Sequence, residues 1–135
     1  GEGCACPMGA LAREFIEKLK ADGMQVIVDT DAGIEHFGRG VEAGSDRIVV
    51  VIDPSFESVQ LSEKISEMGA KINKPVCFIL NRMNEDAAEL SSLVDGKKVI
   101  GSVPFDRDVF QACLKGSLVP QLAEMKEIVD RLLAE

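Results

Sequence analysis

No stretch of this 135-residue chain approaches the roughly 20 consecutive apolar residues that cross a bilayer. No basic segment followed by an apolar stretch opens it, so no secretory signal is read and a cytoplasmic setting is the default expectation. Runs of five lysines or arginines are missing, and 15 basic against 23 acidic residues leave a net charge of -8. Such an acidic balance repels nucleic acid and anionic lipid, so neither is expected as a direct partner. A lone histidine, His36, argues against a histidine-built metal site within one chain. Repeats, low-complexity tracts and interdomain linkers are also missing. So is the phosphate-cradling pattern G-x-x-x-x-G-K-[ST].

What is present suits one domain with a true core, 46% hydrophobic and 28% charged. Apolar runs alternate with amphipathic stretches, the β-α-β-α pattern of a mostly parallel sheet covered by helices. An α/β fold of about four strands is expected, near Met24–Asp29, Arg47–Asp53, Lys74–Asn81 and Lys98–Ser102. Its edges would need cover from another segment, another chain or a second copy. Helices are expected over Pro7–Ala21, with Leu11, Phe15, Ile16 and Leu19 on one stripe, and over Pro54–Met68, with Gly69 just past its end. A shorter acidic one is expected at Asn84–Leu93. Arg107–Leu114 and Pro120–Leu133 follow, the last with Leu122, Met125, Ile128, Val129 and Leu132 inward.

The four cysteines do not form a secreted-type disulfide framework. Cys77 lies in an apolar run and reads as a buried small hydrophobe, and Cys113 as a helical core residue. Cys4 and Cys6 alone read as available. Two thiols one residue apart can face one metal ion but fill only half a tetrahedral site, so two copies across a twofold axis would complete it. Pro7 is a favourable first helical residue, which puts Cys6 near an N-cap where thiolate is stabilised. Incidental thiols near a frayed end are the plainer reading, and spacing alone leaves both open.

The run Met24-Gln25-Val26-Ile27-Val28-Asp29-Thr30-Asp31-Ala32-Gly33 carries the strongest signal. An acid at the carboxyl end of a strand lies where open α/β sheets hold ligands. Asp29 can hold a Mg²⁺-bound water there, and Gly33 can offer an amide to a terminal phosphate. An ordinary strand-to-helix turn is the competing reading. Asp53 followed by Pro54 reads as a helix cap. Asn81 can pair with a base edge and Arg82 can stack on a ring, and Gly101 to Asp106 can wall a base; each is also a common turn.

In this order the segments resemble the later two-thirds of a deviant Walker-type P-loop ATPase, the superfamily of the Min and Par partitioning ATPases and the nitrogenase iron protein. Within it they are most similar to the nickel-insertion, CooC-type ATPases of carbon monoxide dehydrogenase maturation. The residues carrying the resemblance are Cys4-Ala-Cys6-Pro7, Val28 to His36, Asn81-Arg82 and Val103-Pro104-Phe105-Asp106. It spans essentially the whole chain. It implies a single α/β domain over residues 1–135, the C-terminal part of a P-loop fold without its phosphate-loop strand. ATP or ADP with Mg²⁺ is the implied cofactor, with Asp29 organising the ion and Gly33 sensing the γ-phosphate. Asn81, Arg82, Pro104, Phe105 and Asp106 would line the adenine. Cys4 and Cys6 would hold Ni²⁺ or Zn²⁺ between two subunits of a homodimer, for a metalloenzyme client such as carbon monoxide dehydrogenase.

The resemblance also implies that the phosphate loop lies upstream of these residues, so this chain alone is not expected to hydrolyse ATP. Two further readings are a nucleotide-free interaction or metal-binding module of the same fold, and a fragment of a partitioning-type ATPase.

Overall fold

The apolar run Val76 to Leu80 begins the central strand of a three-stranded sheet, as a strand covered on both faces should. The structure is a computed structural model and describes residues 7–21, 23–30, 34, 41–85, 89–94 and 96–134. Its elements in chain order are α1 (Pro7–Ala21), α2 (Val41–Gly44), β1 (Ile48–Ile52), α3 (Phe56–Lys71), β2 (Val76–Met83), α4 (Leu90–Leu93), β3 (Val99–Pro104), α5 (Arg107–Lys115) and α6 (Ala123–Leu133). The sheet order is β1-β2-β3, with β2 and β3 parallel, and helices flank it to give an α/β fold. The described residues divide between two compact units, one within Gly1–Ile48 and Glu63–Val76, the other within Val49–Ser62 and Cys77–Glu135.

In the first unit α1 packs on α2. Of the expected α1 stripe, Ile16 is buried and Leu19 half-buried, while Leu11 and Phe15 face solvent. Arg13 and Glu17, one helical turn apart, pair at 2.8 Å on the exposed face, and the carboxylate raises the Arg13 pKa by hydrogen bond and charge. The expected strand Met24–Asp29 is not one: residues 24–30 carry no regular structure and Ile27 is 94% exposed. An apolar run becomes a strand only where a sheet edge accepts its main-chain groups. Among the described residues none pairs with it, so three strands stand where about four were expected.

The end of α3 also departs from expectation. The helix runs through Gly69 to Lys71 and is closed by Asn73, at φ 54. The Asn73 amide donates to Ala70 O at 3.2 Å and the Lys74 amide to Gly69 O at 2.9 Å, the paired bonds of a Schellman turn. Gly69 is glycine for another reason: a Cβ there would collide with Val76 Cγ2.

In the second unit Cys77, Ile79, Ile100, Val103 and Ile128 form a buried cluster, with Leu122 and Leu132 packed against it. Phe78 and Leu80 are buried too, so both faces of β2 are covered. Along β3, Ile100 and Val103 are buried; α6 lies close over the strand, and Arg131 Nη1 donates to Ile100 O at 2.7 Å. Of the inward set expected on α6, Met125 and Val129 are exposed, because one stripe centred on Ile128 meets the strand. Helix α6 starts at Ala123, after Leu122, rather than at Pro120. The expected helix Asn84–Leu93 is helical only over Leu90–Leu93 among the described residues.

Two local assignments change. Asp53 does not cap α3: Ser55 Oγ accepts from the Ser58 amide at 3.1 Å, which leaves the aspartate carboxylate for other partners. Cys113 is not core but an exposed free thiol on α5, whereas Cys77 is buried as expected.

Candidate functional site

At the carboxyl ends of β2 and β3 the ladder is irregular. Leu80 pairs with Ser102 and Met83 with Pro104, so Asn81 and Arg82 on β2 face the single residue Val103 on β3. Two residues against one is a β-bulge, and Arg82 takes the left-handed backbone at φ 56 to accommodate it. In a regular strand neighbouring side chains point to opposite faces. Here both reach one carboxylate. Asn81 Nδ2 donates to Asp53 Oδ1 at 2.9 Å, and Arg82 Nη1 lies 3.9 Å from Asp53 Oδ2. Since the Arg82 and Asp53 side chains are each about half exposed, solvent screens this ion pair and its stabilising effect is small.

Beside this cluster opens a cavity of about 370 Å³, lined by Asn81, Arg82, Val103, Pro104, Phe105, Asp106, Val109, Phe110, Cys113 and Leu122. Its size falls in the usual range for small-molecule sites, roughly 300–1,000 Å³. The loop after β3 is fixed at both ends. The Phe105 amide donates to Met83 O at 2.9 Å, and Asp106 Oδ1 accepts from the Val109 amide at 2.8 Å as the N-cap of α5. The Phe105 and Phe110 rings sit 6.2 Å apart at 43°, and Phe105 is 44% exposed. Apolar walls, a half-exposed ring and an amide at one rim suit a flat heterocycle that carries hydrogen-bonding edges.

Asn81, Arg82, Pro104, Phe105 and Asp106, singled out from the sequence, therefore line one cavity. Asp106 does so with its carboxylate engaged as a cap, so it holds the loop as well as walling the space. Asp29 is exposed, in the segment without regular structure. Cys4, Cys6 and Gly33 lie outside the described residues, and among the described residues no group of three or more His, Cys, Asp or Glu could hold a metal ion. The pairing of Asp53 with Asn81 was missed by sequence reasoning; an acid ending one strand and an amide ending the next was the available signal. Val109, Phe110, Cys113 and Leu122 were missed as lining residues: Cys113 and Leu122 read as core, and only the fold brings the four beside the strand ends. A second cavity of about 370 Å³, beside β3 and α6, is lined in part by Ser102, Glu124, Glu127 and Arg131.

The chain is 50% identical over 135 residues to an uncharacterised ATP-binding protein of Methanocaldococcus jannaschii, a match covering 98% of this chain and 54% of that protein. It is 34% identical over 110 residues to the carbon monoxide dehydrogenase accessory protein CooC of Rhodospirillum rubrum, covering 78% of this chain and 42% of CooC. Among solved structures, the MinD cell division protein of Aquifex aeolicus superposes with a TM-score of 0.78 at 19% identity, over 94% of this chain and 61% of MinD. The fold is thus of the MinD type. The chain spans about half the length of the curated relatives it matches. No family model matches it.

Proposed function

We propose that this chain is the base-binding part of a nucleotide-dependent accessory protein of the CooC type, serving assembly of a metallocentre, with nickel as cargo. The observation that carries the reading is the convergence of Asn81, Arg82, Pro104, Phe105 and Asp106 on one cavity at the carboxyl edge of a parallel sheet. The similarity to CooC and to an ATP-binding protein supports it. In this reading the cavity seats the adenine of ATP or ADP. Asp29 would hold the Mg²⁺ that accompanies the phosphates, and Gly33 would offer its amide to the terminal phosphate; bound Mg²⁺ would offset phosphate charge. The phosphate-cradling motif is not among these residues, so hydrolysis would require groups from outside them.

Cys4 and Cys6 would bind Ni²⁺ or Zn²⁺ as cargo, sharing the ion with the same pair of a second copy. The client would be an enzyme such as carbon monoxide dehydrogenase, and the setting cytoplasmic, with no direct role for nucleic acid or membrane. Among the described residues no helix is long and apolar enough to cross a membrane.

Titration of the reduced protein with Zn²⁺ and Ni²⁺, followed by sedimentation, tests the metal arm. One ion per two chains, lost in Cys4→Ala and in Cys6→Ala, is the expected result. Metal-independent behaviour removes that arm, and failure to bind ADP in calorimetry removes the nucleotide arm, leaving an interaction module of the same fold.

A further inference from the structure

We infer that the outer row of apolar side chains on α6 docks α6 of a second copy of this chain, the two helices lying antiparallel across a twofold axis. The inference stands apart from the nucleotide and metal readings and needs neither ligand.

A helix that lies on a sheet needs one apolar stripe, and α6 carries two. The first is centred on Ile128, which is buried in the cluster with β2 and β3. Arg131 Nη1 fastens the same helix to β3 through its 2.7 Å bond to Ile100 O. The second stripe is Met125, Val129 and Leu133, which are 43%, 43% and 58% exposed. Their four-residue spacing sets them in one row along the helix, one above the other. A single exposed apolar residue is ordinary on a protein surface. A contiguous row on a firmly anchored helix is the form of a helix–helix contact.

The charges beside the row indicate what fits it. Lys126 follows Met125 and Asp130 follows Val129, so both charges border the row on the same flank, one helical turn apart. The midpoint of this pair lies within one residue of Val129, the midpoint of the row, an offset of about 1.5 Å along the helix. A twofold axis at Val129 therefore sets Met125 of each copy against Leu133 of the other, and Val129 against itself. Antiparallel helices bring like flanks together, so Lys126 of each copy faces Asp130 of the other. A parallel pair would turn that flank towards the side of Leu132, and neither charge would gain a partner. The row is thus self-complementary in one orientation only.

Such a contact is weak. One helical row is smaller than the roughly 800 Å² per partner of a standard interface. The net charge of -8 on each copy opposes association further. The two exposed ion pairs set orientation more than affinity, and the apolar row supplies the attraction. Because α6 is already held by Ile128 and Arg131, docking orders little that was free before.

The experiment is sedimentation equilibrium of the full chain up to about 1 mM, where weak contacts of this size are populated. Reductant and EDTA are present and nucleotide is absent, so bridging through Cys4 and Cys6 contributes nothing. A monomer–dimer equilibrium is expected. Val129→Asp sets two carboxylates against each other on the axis and should weaken it at least about tenfold. Lys126→Asp and Asp130→Lys each turn both cross-axis pairs into like charges and should each weaken it about tenfold. The two reversals in one chain should restore the original Kd, since opposite charges then meet again. All three positions are exposed, and circular dichroism confirms that each variant folds. A monomer at every concentration overturns the inference and leaves the row to a different partner. A dimer that Val129→Asp does not weaken overturns it as well, because the contact then lies elsewhere. A double reversal no tighter than the single ones overturns the antiparallel arrangement.

Discussion

Gly101 of β3 lies so close under Ile128 of α6 that a Cβ at position 101 would fall on the Ile128 side chain. Ile128 is buried in the cluster with Cys77, Ile79, Ile100 and Val103, so it has little room to move aside. Gly101→Ala should therefore lower stability by about 1–3 kcal/mol, the usual effect of overpacking, and combined with Ile128→Ala, which removes the γ-carbon it would strike, it should cost less than the sum of the two single changes. Urea unfolding of the two single variants and the pair measures it; additive effects would separate the two residues energetically.

Gly69 and Asn73 invert the ordinary expectation for helix residues. Alanine in place of a helical glycine normally stabilises by up to about 1 kcal/mol. Gly69→Ala should destabilise instead, because the new methyl would strike Val76. Asn73→Gly should be neutral or slightly stabilising, and Asn73→Val should cost about 1–2 kcal/mol, since position 73 stands at φ 54. Thermal melts of the three variants give the signs.

Phe105 is half exposed at the cavity wall, where the proposed function has a base lie against it. Removal of an aromatic that stacks on a base costs about 1–3 kcal/mol. Phe105→Ala should weaken ADP binding by about that amount, read by calorimetry, while far-ultraviolet circular dichroism stays unchanged. Undiminished affinity would mean that the base sits elsewhere.

Cys113 and Cys77 should react very differently. Cys113 is an exposed thiol that lines the cavity, and Cys77 is buried in the core. Iodoacetamide followed by peptide mapping should modify Cys113 quickly and leave Cys77 intact until the protein unfolds. Saturating ADP should slow modification of Cys113 if the cavity is the base site, and modification at an unchanged rate would count against that assignment.

The sequence announced some of these features and concealed others for physical reasons. Pro7–Ala21 is helical over its expected span, since helical spacing of Leu11, Phe15, Ile16 and Leu19 is a local signal. The strands β1, β2 and β3 lie within a few residues of their expected places because Val- and Ile-rich runs carry their own signature. Met24 to Asp29 has the same signature and is not a strand, for pairing depends on a neighbour that no local pattern encodes. Gly69 looks like a stop and is a contact point, a distinction that needs the position of Val76. The candidate site divides likewise. Asn81, Arg82 and Pro104 to Asp106 are contiguous pieces at strand ends and could be read directly. The Asp53–Asn81 bond joins residues 28 positions apart and depends on sheet order and on an irregularity in the ladder.

That irregularity bears on how the chain tolerates change in length. Removing one residue between Leu80 and Met83 would bring this stretch into one-to-one pairing with Ser102 to Pro104, leaving the opposite shift between Phe78 and Ile79, and relieve the left-handed turn at Arg82. The shortened protein would gain a more regular sheet and lose the shared grip on Asp53. The left-handed backbone at Arg82, a conformational penalty of order 1–3 kcal/mol, is thereby tied to the length of this strand and to the grip on Asp53.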